Sequence, residues 1–211
     1  LLPALTAAQA TGNQKRVRAL TGRAVTTVGL IGVPATAVLV PLAPALSARI
    51  FDQSLSTPYV SLLGVTAVLC YYQMAAGSLL NALGMQHWQV VISVSAELLQ
   101  VLLMYRWCAQ PAWGIYGYLG AMALTEALAF VLSLTLLHRK TGFVLRPVRR
   151  FGVPLLCGAA LYGWTRVFFA WFSQHSVSET AALFWTAAGA AALYLLVLRL
   201  MDVHLWTYLS R

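Results

Sequence analysis

Apolar residues run almost unbroken through six stretches of this chain, approximately 24–46, 58–83, 88–107, 114–137, 151–172 and 180–201. Polar and charged residues gather between them. Each stretch reaches the roughly 20 residues that an α-helix needs to cross about 30 Å of hydrocarbon. The pattern predicts an all-α, polytopic membrane protein. Before the first span, Leu1 to Ala10 form a short apolar segment, followed by the cations Lys15, Arg16, Arg18 and Arg23. A secretory signal places its positive charge ahead of the apolar stretch, the reverse of this order. Residues 1–10 therefore read as the end of a truncated transmembrane helix and 11–23 as a basic loop. Four spanning helices follow over 24–137, then a second basic loop over 138–150. A further pair of helices occupies 151–202, and 203–211 form a tail.

Composition sharpens the class. Hydrophobic residues make up 60% of the chain and charged residues 9%, with a mean hydropathy of +0.76. Soluble domains carry roughly 25% charged residues, so ionic surface cannot cover a globule of this length. The formal charge of +9 does not indicate nucleic acid, because its cations sit in short clusters between apolar runs rather than along one face. Cys70, Cys108 and Cys157 form no CxxC or Cys/His ligand spacing, so neither a disulfide framework nor a metal is expected.

Charge also orients the chain. Lys15, Arg16, Arg18, Arg23, Arg139, Lys140, Arg146, Arg149, Arg150, Arg199 and Arg211 fall on one side of the alternating spans. Arg49 (beside Asp52) and Arg106 fall on the other, and Arg166 lies inside a span. The side rich in Lys and Arg is the cytoplasmic one. Both ends of the chain are expected there, in a multi-pass protein of the cell membrane.

Polar groups inside apolar runs are the candidate sites. Glu97 and Glu126 fall about 14 and 16 Å from the inner ends of their predicted spans at 1.5 Å per residue. A carboxylate near the bilayer centre costs about 2.5–3.5 kcal/mol on insertion scales, so each should face protein or a watered cavity. Ser93, Glu97 and Gln100 share one helix face, which predicts an inward orientation. These groups read either as a coupling-ion or substrate-headgroup site or as hydrogen-bonded elements of the bundle, and the structural reading is preferred. Thr66, Gln73, Gly77 and Asn81 share a face suited to helix–helix contact. Gly114, Gly117 and Gly120 point to close packing. Pro34, Pro41 and Pro44 mark either a break near a transport path or a tolerated irregularity. Arg166 reads as snorkelling to the outer interface with Trp164 and Trp171 as belt residues, with a lipid phosphate as the sharper alternative. No catalytic constellation can be assembled, so an enzyme is not expected, and no cofactor is implied.

Four passages carry a family resemblance by their order and spacing. Leu2-Pro3-Ala4-Leu5-Thr6 with Gly12-Asn13-Gln14-Lys15-Arg16 resembles the passage that closes the eighth helix of the multidrug/oligosaccharidyl-lipid/polysaccharide (MOP) flippase superfamily. "LIGVPATAVLVPLAPALSARIF" is similar to its ninth helix, "LLNALGMQHWQ" to the turn between the tenth and eleventh, and "GIYGYLGAMALTEALAFVLSLTLLHRKTG" to the twelfth. Asn81-Ala82 and Gln100 depart from the residues usual at those places. The two remaining spans correspond to an extra helix pair, which resembles the stage V sporulation protein B and polysaccharide-biosynthesis branch. The resemblance implies the C-terminal lobe of a MATE-like flippase that moves a lipid-linked saccharide or cell-wall precursor. Its partners would be that lipid, the membrane and a missing N-terminal lobe. A cation-coupled multidrug exporter, a membrane enzyme acting on lipid-linked sugars and a non-transporting partner subunit are the rival readings.

Overall fold

The computed structural model describes residues 2–51, 56–110, 113–142, 147–174 and 178–200. They form seven helices: α1 (Leu2–Ala10), α2 (Gln14–Phe51), α3 (Thr57–Ala82), α4 (Gln86–Cys108), α5 (Gly114–Thr141), α6 (Pro147–Gln174) and α7 (Glu179–Leu200). Six are long and apolar enough to cross a membrane, over Gln14–Ile50, Thr57–Ala82, Gln86–Cys108, Gly114–Thr141, Gly152–Gln174 and Thr180–Arg199. All six expected spans are present, and the described residues are all-helical, of polytopic membrane type. Asp52, Arg146 and the 203–211 tail lie outside the described residues, as do the side chains of Arg149 and Arg150.

The helices pack as a row that closes partly on itself. α2 contacts both α3 and α6; α3 also contacts α5, and α5 holds α4. At the other end α7 packs on α6 and reaches α2, while the short α1 lies on α2 and α3. The largest buried cluster sits where α1, α2, α3 and α5 meet, with Leu5, Val17, Tyr72, Ala76, Leu80 and Leu137 among its members. α4 is the edge of the row, and Ile92 is its buried residue. Val94, Leu98, Leu102 and Tyr105 point away from the chain. In hydrocarbon such a face is solvated rather than exposed to water.

The largest difference from the sequence reading is at the start of α2; residues 138–141 and 147–150, also read as loop, are the end of α5 and the start of α6. Residues 14–23, read as loop, are the first turns of α2. At 38 residues the helix is about 57 Å long, nearly twice the thickness of the hydrocarbon. Two features keep the basic segment helical. The Asn13 Oδ1 accepts the Arg16 N–H at 3.1 Å, an N-cap bond. Val17, Leu20, Thr21, Ala24 and Val25 then form a buried stripe at helical spacing, with Lys15, Arg16, Arg18 and Arg23 on the exposed side. The apolar run marks only where hydrocarbon begins; the amphipathic stripe carries the helix beyond it.

Two tight turns at this basic end share one geometry. Between α3 and α4 the Met85 N–H bonds to the Leu80 carbonyl at 2.9 Å, with Gly84 at φ +72° between them. Between α1 and α2 the Asn13 N–H bonds to the Ala8 carbonyl at 3.0 Å, with Gly12 at φ +68°. Both are Schellman caps, in which a left-handed glycine lets the chain satisfy the last helical carbonyls and reverse. The end of α5 is closed from outside: Arg18 Nε of α2 donates to the Thr141 carbonyl at 2.7 Å. A guanidinium at a helix C-terminus also meets the negative end of the helix dipole.

Candidate functional site

Helices α3, α4 and α5 bring the intramembrane polar groups into one seam. On α3, Gln73 is nearly fully buried, and its Oε1 accepts the Ser133 hydroxyl of α5 at 3.3 Å. On α4, the Gln100 Oε1 accepts the Thr125 hydroxyl of α5 at 3.2 Å. Thr125 also donates to its own helix, to the Ala121 carbonyl at 2.9 Å. Nearer the basic end, the Gln89 Nε2 donates to Ser93 Oγ at 3.0 Å. The Gln89 amide lies against Gly77 of α3, where a β-carbon would come within 2.6 Å of Nε2. The absence of a side chain at Gly77 is what lets an α4 amide reach α3. The Gln89 Oε1 is buried without a hydrogen-bond partner among the described residues.

The two carboxylates occupy the same seam. Glu126 is half-buried on α5, within electrostatic reach of Glu97 on α4 and of Cys70 on α3. Because α4 and α5 extend past the predicted spans at the basic end, Glu97 lies about 17 Å and Glu126 about 23 Å from that end of its helix. Both remain well inside the spanning segments.

The expected inward orientation of the Ser93, Glu97 and Gln100 face holds for two of its three members. Ser93 and Gln100 are half-buried, but Glu97 is left uncovered by the chain. The buried stripe of α4 runs through Gln89, Ile92, Ala96, Gln100 and Leu103. At 100° per residue Glu97 lies at the rim of that stripe rather than on its centre. It therefore borders the seam and also faces outward from α4.

Other candidates fall elsewhere. Asn81 is exposed at the last turn of α3, where its carbonyl accepts the Gly84 N–H at 3.1 Å, so it belongs to the turn and not to the seam. Thr66, Gln73 and Gly77 are buried, as helix contact requires. Arg166 is exposed on α6, which packs on α2 and α7. Trp164 is not a free belt residue: its ring stacks on Phe168 at 3.6 Å and covers Gly189 of α7. Trp171 is exposed. Gly117 and Gly120 lie against Trp107 of α4, whereas Gly114 has open space and φ +40° and serves the start of α5.

The sequence reading missed Gln89, Thr125 and Ser133. Gln89 lies four residues before Ser93, and Ser133 lies seven after Glu126. Those two were therefore detectable as same-face neighbours of polar groups already singled out; Thr125, next to Glu126 and about 100° round the helix, carried no such signal. A shallow groove of about 370 Å³ between α2 and α3, lined by Val28, Ile31, Gly32, Tyr71, Met74 and Ser78 among others, shares no residue with the seam. Its walls are apolar, and it offers no comparable hydrogen-bonding row.

The seam is thus a line of amides, hydroxyls and two carboxylates at mid-depth, packed on one side and open at the α4 rim. Its chemistry is that of hydrogen-bonding amides and hydroxyls beside two carboxyl groups. No family model, curated protein or solved structure matches this chain.

Proposed function

We propose that this chain is the C-terminal lobe, with an extra helix pair, of a MOP-type flippase that moves a lipid-linked saccharide or cell-wall precursor across the cytoplasmic membrane. The observation that carries the reading is the polar seam, which leaves a carboxylate uncovered at mid-depth on the edge helix. A carboxylate facing hydrocarbon there costs several kcal/mol. Apposed to a second lobe across a watered cavity, the same rim becomes one wall of a path for a polar headgroup. The passages from Leu2 to Gly142 that resemble the superfamily support this reading, and the seam is a surface suited to that work. In this reading α6 and α7 are the accessory pair, and the basic ends of α2 and α5 lie in the cytoplasm.

The test of function is a translocation assay on the two-lobed protein in vesicles. A fluorescent lipid-linked saccharide should change leaflet when a membrane potential or ion gradient is imposed, and cationic dyes should not be moved. Dye transport without lipid transport would replace this reading with that of a drug exporter. In the same assay Glu97→Gln should retain transport with an unchanged pH profile, because an amide at the rim keeps the polarity and hydrogen bonding of the wall. A lost or displaced pH dependence would assign Glu97 a proton-carrying role instead.

Orientation has its own measurement. Single cysteines introduced at Asn13 or Thr141, in a background without native cysteines, should resist an impermeant thiol reagent added from outside intact cells. Cysteines at Ser54 or Ser176 should react. Labelling at Thr141 from outside would invert the arrangement, since Arg139 and Lys140 are among its strongest determinants.

A further inference from the structure

α2 contains Pro34, Pro41 and Pro44 within one continuous helix. A proline at position i removes the N–H that would bond to the carbonyl of residue i−4. Pro34 therefore leaves the Leu30 carbonyl without its helical donor. That carbonyl receives another donor: the Tyr194 hydroxyl of α7 reaches it at 2.5 Å, across 164 positions of sequence. Leu30 is fully enclosed by protein, so water does not substitute readily at this point. An unsatisfied carbonyl in such surroundings is costly.

The same short length of α2 is held by both members of the final helix pair. Gly158 of α6 sits against Val33 and Ala37, where a β-carbon would come within 2.7 Å of Val33 Cγ1. Pro154 of α6 lies over Gly29. α6 thus seats on the turns on either side of Pro34, and α7 supplies the missing donor.

We propose that the α6–α7 pair is a clasp on the Pro34 break of α2. Tyr194 is its positioning residue: with its hydroxyl on the Leu30 carbonyl, the turn that lacks its helical hydrogen bond is held in one conformation. When α7 moves away, the carbonyl is freed and α2 flexes at that turn. The pair is accordingly a control on the bending of the helix at the centre of the row, and not only an addition to its edge. This inference stands on the proline, the hydrogen bond and the seating of α6. It does not depend on the transport reading.

The experiment is a double-mutant cycle read by amide hydrogen exchange on the full chain in lipid nanodiscs. Tyr194→Phe keeps the ring and removes the donor. Amides of residues 31–38 should exchange about five- to tenfold faster, while those of α4 and α5 keep their rates. In a Pro34→Ala background the new Ala N–H serves the Leu30 carbonyl, so adding Tyr194→Phe should produce no acceleration. Unchanged exchange in the single variant would overturn the proposal. So would equal acceleration in both backgrounds, which would assign the effect to ring packing. Should Tyr194→Phe alone be lost from the membrane, recovery of folded protein on adding Pro34→Ala supports the clasp, and failure to recover refutes it.

Discussion

Gly29→Leu is expected to abolish accumulation of folded protein, and Gly29→Ala to leave a small fraction of it. Gly29 is where α2 is approached from two sides. A β-carbon there would overlap the Tyr72 hydroxyl of α3 and come within 3.0 Å of Pro154 Cγ of α6. Neither neighbour yields easily. Tyr72 is only 5% exposed, and its ring lies against Phe130 of α5 with centroids 5.2 Å apart. Pro154 is a ring within α6. Overpacking a filled site costs about 1–3 kcal/mol for added methylenes, and a leucine adds a branched side chain to a position that has no room for one carbon. The position also joins three helices, so relief on one side tightens another.

Folded yield by size-exclusion chromatography, with a thermal melt in detergent, measures the effect. Gly163→Ala serves as the control, since nothing lies within 4 Å of a β-carbon there. It should accumulate like the parent, helped by alanine's helix preference of about 0.8–1.0 kcal/mol over glycine. Tyr72→Phe removes the colliding oxygen and should partly rescue Gly29→Ala. A Gly29→Leu protein that accumulates and melts like the parent would mean that α2, α3 and α6 do not cross as described.

The contrast between the spans and their contacts shows what the sequence makes legible. A spanning helix needs a long apolar run, and that is a local property, so all six could be counted. The basic end of α2 was obscured because Lys15, Arg16 and Arg18 look like loop chemistry. Yet Asn13 as a cap and the stripe through Val17, Leu20, Thr21 and Ala24 were readable as an amphipathic continuation. For the seam, Gln73, Gln100 and Glu126 were identifiable as polar residues in apolar runs, but their partners lie on other helices. Gln73 finds Ser133 at a sequence distance of 60 residues. Pro34 announced an orphaned carbonyl at Leu30; nothing local says that Tyr194 supplies the donor. Glu97 failed for a subtler reason. Its shared face with Ser93 and Gln100 is real, but the buried centre of α4 runs through Ala96, one position aside.

On the proposed reading, residues 1–211 alone should give no lipid translocation above that of protein-free vesicles, whereas the complete two-lobed protein should move the same lipid. The reason lies in how little of α4 the chain covers. Val94 is 52% exposed, Leu98 62% and Leu102 66%, and Glu97 stands uncovered among them. A saccharide headgroup carries many hydroxyls, each costing several kcal/mol if left unpaired in an apolar medium. One wall offering the uncovered Glu97 carboxylate and the half-buried Gln100 amide and Glu126 carboxyl can meet part of that demand, while the opposite side of the headgroup would still face hydrocarbon. A second wall and the water between the two are required to lower the barrier. The same logic gives an independent reading at the rim. In the isolated chain, a cysteine at Glu97 should react with a membrane-soluble maleimide and resist a charged one. In the two-lobed protein it should react with the charged reagent as well. Robust translocation by the isolated chain would remove the basis for treating the seam as half of a path. If the charged reagent failed to reach position 97 in the two-lobed protein, the cavity would have to be placed on another face.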